Sequence, residues 1–155
     1  MKAQPTVAGY IFDRNKLLLV YHKKLGLWLP VGGHIDKNEL PDDALKREIF
    51  EETNLKIEIL GQRDFPIEGN VERNLAVPFY ANVHLVGDHY HSCFYYAARA
   101  LNPKELSINE ELEGHGWFSK KGLNKDFVPA DVRNQGLEAF KILRRENATN
   151  RKIQA

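Results

Sequence analysis

An amphipathic helix over residues 41–53 (PDDALKREIFEET), set between strand-like segments, leaves this chain few ways to fold. Pro41 suits the first helical position, where its missing N–H costs nothing. Asp42 and Asp43 complement the positive end of the helix dipole. Leu45 and Ile49 repeat at i, i+4 and predict a core-facing stripe. Leu40 is a poor N-cap residue, where Ser, Thr, Asp or Asn would accept a backbone N–H. The same periodicity puts Glu48, Glu51 and Glu52 on one edge of the helix. Like charges so placed repel unless a cation sits among them, and oxygen-only ligands select Mg²⁺ or Mn²⁺ over zinc. Arg47 lies four residues before Glu51, and its planar fork suits a carboxylate or a phosphate. The competing reading of this face is a solvated row of charges.

Around the helix, Thr6 to Phe12 and Lys16 to His22 read as a hairpin across the turn Asp13-Arg14-Asn15. Gly26 to Gly33 reads as a loop or short extended piece, and its glycines permit close approach of the backbone. Val77 to Val86 and His89 to Arg99 read as strands joined at Gly87-Asp88, where Gly tolerates a positive φ. Leu101 to Gly116 reads as an acidic loop, Trp117-Phe118 as a short strand, and Pro129 to Arg145 as a second helix. Asn147 to Ala155 is expected to fray. Strands and helices mix without regular alternation, so the fold class is α+β, an α/β/α sandwich. At 155 residues, 43% hydrophobic and 28% charged, the chain suits one domain with one core. A net charge of +1 gives no sign of a nucleic-acid-coating surface. The single cysteine, Cys93, excludes an internal disulfide framework, fits a reducing cytoplasm and reads as a small buried hydrophobe. No run approaches the roughly 18 apolar residues of a membrane span, and the N-terminus lacks a secretory apolar region.

Gly33 to Leu55 closely resembles the Nudix box, G-x5-E-x7-R-E-U-x-E-E-x-G-U, with U a bulky apolar residue. Gly33, Glu39, Arg47, Glu48, Ile49, Glu51, Glu52 and Leu55 fall in place. Asn54 stands where the family has its last glycine. That position demands a helix C-cap with positive φ, which Asn tolerates next best after Gly. The resemblance implies a single Nudix domain over residues 4–146, with a mixed β-sheet between helices. It implies an enzyme that hydrolyses a diphosphate bond in a nucleoside diphosphate-linked molecule, using Mg²⁺ or Mn²⁺. Glu48, Glu51 and Glu52 would be metal ligands, with the Gly33 carbonyl as a further one. Glu39 would hold loop to helix, and Arg47 would orient the carboxylates. Many members add an acidic residue from a loop before a Trp-Phe strand. Here Glu111 is favoured for that role over Glu110 and Glu113. The resemblance leaves the general base open among Glu48, Glu52 and the loop residue.

His34 follows Gly33 directly and is a candidate for contact with substrate phosphate, against a loop residue packing on the box. His84, His89 and His91 could suggest a zinc site, though no spacing fixes one. Aromatic residues of the central strands (Phe79, Tyr80, Phe94, Tyr95, Tyr96) are read mainly as core. Arg63, Arg73 and Arg99 are phosphate candidates whose default reading is a surface salt bridge. The partner expected is a small nucleotide-like molecule such as a nucleoside triphosphate, nucleotide sugar or ADP-ribose. Neither membrane nor nucleic acid is an expected partner, and a monomer or a homodimer is compatible. The rivals are a non-catalytic nucleotide sensor or scaffold and a pyrophosphohydrolase of RNA 5′ ends. The sensor class often loses box glutamates, which are all present here. The RNA reading would need a basic strip, for which His22-Lys23-Lys24 is the only candidate.

Overall fold

The strand that every layer packs against comes first in the chain. The computed structural model describes residues 1–154. Strand β1 (Ala3–Asp13) is buried without interruption from Thr6 to Phe12, as a strand covered on both faces must be. It pairs antiparallel with β2 (Lys16–His22) and β4 (Val31–His34), and parallel with β7 (His89–Ala100). Strand β3 (Leu27–Leu29) and strand β8 (Leu112–Phe118) pair with β2, while β5 (Ile57–Ile59) and β6 (Tyr80–Val86) pair with β7. The result is one mixed eight-stranded sheet.

Helix α1 (Pro41–Thr53) covers one face. Ala44, Leu45 and Ile49 pack there with Val7, Ile11, Leu18, Val31, Tyr96 and Ala98. Helix α2 (Ala130–Gln154) covers the other, packing Val132, Ala139 and Leu143 on Tyr10, Phe12, Leu17 and Leu19. This is the expected α/β/α sandwich. Leu17, Leu18 and Leu19 are all fully buried because the interior strand β2 feeds both cores in alternation. Cys93 is buried among the residues of the α2 side.

Two expectations need correction. The tail from Asn147 is not frayed: α2 continues through it to Gln154, ending with Arg151 and Lys152 in the last turn, where cations suit the helix dipole. Residues 112–116, read as loop, form most of β8, because pairing with β2 overrides the low strand preference of Gly114 and Gly116. The loop-or-extended stretch before the helix resolves into β3 and β4.

The two layers are tied at one buried polar contact. Tyr10 Oη, fully buried, donates to Gln135 Oε1 on α2 at 2.6 Å. Tyr10→Phe leaves that amide oxygen without its donor, and the expected loss is about 1–3 kcal/mol. Urea denaturation checks it through a lower midpoint at unchanged slope.

Candidate active site

The box begins where β4 meets α1. Gly33 pairs with Val7 on β1 and turns its Cα toward the helix, so that a Cβ there would lie 2.6 Å from Glu48 Oε1. Only glycine lets the Glu48 carboxylate rest on this strand. The start of α1 is as the sequence implies: Pro41 lies in the first turn and Leu40 supplies no side-chain cap. Its end is closed by Asn54, at φ 61° and ψ 13°, whose N–H donates to Phe50 O at 2.8 Å. Asn thus fills the left-handed cap that the family gives to glycine.

Arg47 is the hub of the box. Its Nε and Nη2 donate to the two oxygens of Glu39 at 2.7 and 2.8 Å, a bidentate clamp. Nη1 donates to Glu48 Oε1 at 2.8 Å and to Glu51 Oε2 at 3.3 Å. Nη2 also reaches the His34 carbonyl at 3.0 Å. Glu39 in turn accepts the Asp36 N–H at 2.9 Å. The Arg47 hydrogen bonds, with that backbone N–H, hold Glu39 down at about 2. Arg47 itself is raised by its hydrogen bonds to Glu39 and Glu48. Loop 34–39 and helix α1 are therefore locked together through one guanidinium. Arg47→Ala should lower turnover about 10- to 100-fold, the usual cost of losing a group that orients metal ligands. Steady-state kinetics on the folded variant checks this.

The opposite wall comes from the loop before β8. Helix α1 ends with carbonyls that lack intrahelical donors. Ser107 N–H donates to Thr53 O and Asn109 N–H to Glu52 O, both at 3.0 Å. Asn109 Oδ1 then accepts the Glu111 N–H at 3.1 Å. These bonds bring Glu111 beside Glu48 and Glu52. Glu110 and Glu113 do not figure among the groups acting on those two carboxyls. Ser107 and Asn109 are not legible in the sequence as site residues, because both reach the helix end through backbone N–H groups that any residue but proline offers.

The electrostatics of the cluster follow from this crowding. Burial, then the charges of Glu48 and Glu111, push Glu52 up to about 8. Glu52 is only 5% exposed. Burial also raises Glu48, against the pull of Arg47. A carboxyl that holds its proton to this degree marks a site short of positive charge. The donor set is all oxygen, so it fits a hard divalent cation, with Glu48, Glu51, Glu52 and Glu111 as the residues to hold it.

The His34 ring does not join the carboxylates. Its neighbour Gly33 faces α1, so the His34 side chain falls on the other face of the sheet, where Nε2 lies 2.8 Å from Gln4 Oε1. Arg73 and Arg99 take their default roles, paired with Asp43 at 3.1 Å and with Glu58 at 3.6 Å. Tyr95 and Tyr96 are core, while Tyr80 stacks on Tyr95 at 5.7 Å between ring centres.

Comparison with known proteins places this clamp-and-carboxylate helix and its mixed sheet in one family. A family profile described as the NUDIX domain matches residues 2–135. A hydrolase of the NUDIX family from Clostridium perfringens is 30% identical, with 92% of this chain and 99% of that chain covered and a TM-score of 0.77. A MutT NUDIX hydrolase from Burkholderia pseudomallei shares the fold at 21% identity, with 90% and 98% covered and a TM-score of 0.67. An Ap4A hydrolase from C. elegans does so at 18% identity, with 91% and 96% covered and a TM-score of 0.66. The chain belongs to the Nudix family. It is a Nudix-type hydrolase, the class that cleaves phosphoric anhydrides.

Proposed function

We propose that this protein is a Mg²⁺- or Mn²⁺-dependent pyrophosphohydrolase acting on a small nucleoside diphosphate-linked molecule. The observation that carries the reading is the convergence of Glu48, Glu52 and Glu111 beside the Arg47 clamp, with Glu52 held at about 8. Glu48, Glu51 and Glu52 act as ligands, the Gly33 carbonyl and Glu111 complete the set, and residues 4–146 form the working domain. When bound, the cation neutralises the diphosphate and makes a coordinated water more acidic. Glu39 and Arg47 fix the loop and aim Glu48. The proton of the attacking water passes to one of Glu48, Glu52 and Glu111, carboxylates close enough together to share it. No helix among the described residues is long and apolar enough to cross a membrane, and the lone buried Cys93 fits a reducing compartment. We therefore place the protein in the cytoplasm.

A phosphate-release screen with a coupled phosphatase and an EDTA control tests the proposal. Nucleoside triphosphates, ADP-ribose and nucleotide sugars belong in it, with dinucleoside polyphosphates added in view of the fold shared with the Ap4A hydrolase. EDTA-sensitive cleavage of one class is the expected result. Tight nucleotide binding without turnover on any class would make the protein a sensor instead.

A further inference from the structure

The sheet face turned away from Glu48 carries a second group of metal-ligating side chains. Register places them together: Thr6 of β1 pairs with His34 on β4, Gln4 of β1 with His91 on β7, and His84 of β6 with His91. His89 lies two residues from His91 and shares its face. His91 alternates with Cys93 and Tyr95, which pack on the α2 side, so this face is not that of the carboxylates. One ring nitrogen each from His34, His89 and His91 lies within 4.8 Å of the others. His89 Nε2 and His91 Nε2 are 3.1 Å apart. Nitrogens bound at about 2.0–2.1 Å to one tetrahedral zinc stand about 3.3–3.4 Å apart.

The outer contacts set the ring protons in the sense that a metal requires. Asp88 Oδ1 accepts from His89 Nδ1 at 3.0 Å, which leaves the lone pair on Nε2, the atom that faces His91. Gln4 Oε1 accepts from His34 Nε2–H at 2.8 Å, which leaves the lone pair on Nδ1. A carboxylate or amide oxygen behind a ligating imidazole is the usual support of such sites. His84 adjoins His91, with ring centres 5.5 Å apart, and its Nδ1 meets Asn82 Oδ1 at 3.0 Å. We propose that His34, His89 and His91 bind a divalent transition-metal ion of the zinc class, separate from the carboxylate site. All-nitrogen ligands suit Zn²⁺ and disfavour Mg²⁺. Such an ion ties β4 to β7 across β1 and leaves one coordination position open.

Zn²⁺ titration in competition with a chromophoric chelator, under excess Mg²⁺ to fill the carboxylates, tests the site. X-ray absorption at the zinc edge then reports the ligand atoms. The expected result is one equivalent of Zn²⁺ with imidazole scattering. His91→Ala should weaken that binding at least about 100-fold and Asp88→Asn about 10-fold. His89→Gln, at the half-buried start of β7, serves where His91→Ala does not fold. Zn²⁺ displaced by Mg²⁺, coordination by oxygen atoms alone, or affinity unchanged in His89→Gln would overturn the proposal.

Discussion

Glu52→Gln is expected to lower metal-dependent hydrolysis by at least about 100-fold, roughly 3 kcal/mol of barrier, while making the metal-free protein more stable. The two effects have one cause. Glu52 is buried beside Glu48 and Glu111, and in the metal-free fold its carboxyl stays protonated up to about 8. An unfolded Glu ionises near its ordinary 4.5. Between these values the folded state holds a proton that the unfolded state has lost, so stability falls as pH rises through that window. Gln cannot ionise, and the fall disappears with it. At pH 8 the variant should exceed the wild type by about 4 kcal/mol, and near pH 4 the two should agree. Mg²⁺ reverses the order, because it stabilises only the protein whose carboxylates hold it. Thermal melts at both pH values, with and without Mg²⁺, read the effect. A variant that keeps full activity, or a gap that widens toward acid, contradicts the assignment.

Gly32→Ala carries the largest structural penalty. Gly32 lies opposite Ala8 in the β1–β4 ladder, and a Cβ there would stand 2.7 Å from Ala8 Cα and against the Val7 carbonyl. Backbone cannot yield as a side chain rotamer can, so β4 must leave β1 or both strands must bend. The cost should exceed about 3 kcal/mol, beyond the usual range of overpacking. Because β4 carries Gly33 to Glu48, activity goes with it. Gly114→Ala on β8 is the control, since its nearest neighbours would be Tyr21 Cβ at 3.9 Å and Trp28 Cη2 at 4.0 Å. Its effect should stay within about 1 kcal/mol. Urea midpoints that coincide for the two variants would refute the close approach at Gly32.

Local chemistry decided what the sequence revealed. Helix α1 was legible because proline, the first-turn aspartates and the Leu45–Ile49 stripe agree. The left-handed conformation at Asn54 was legible for the same reason. Strand β8 was not, because its two glycines become strand only when β2 offers a ladder. Three-residue β5 was too short to show a period. The C-terminal turns of α2 were not legible, because beyond Leu143 the helix buries no residue that would give it an apolar stripe. At the site, box spacing named the helix carboxylates. The reach of Glu111 depends on Ser107 and Asn109 bonding to the end of α1, which is tertiary geometry. The histidines came together only through the order β4–β1–β7–β6, which no spacing in the chain encodes.

In the proposed function, the Glu48–Glu52–Glu111 cluster directs water onto a phosphoric anhydride with a divalent cation. Phosphorus NMR of a nucleoside diphosphate-linked substrate in ¹⁸O-labelled water, with Mg²⁺ or with EDTA, tests it most directly. The expected spectrum shows two phosphate products with one ¹⁸O in one of them, and intact substrate under EDTA. Cleavage that survives EDTA, or substrate that stays whole with Mg²⁺, would contradict the claim.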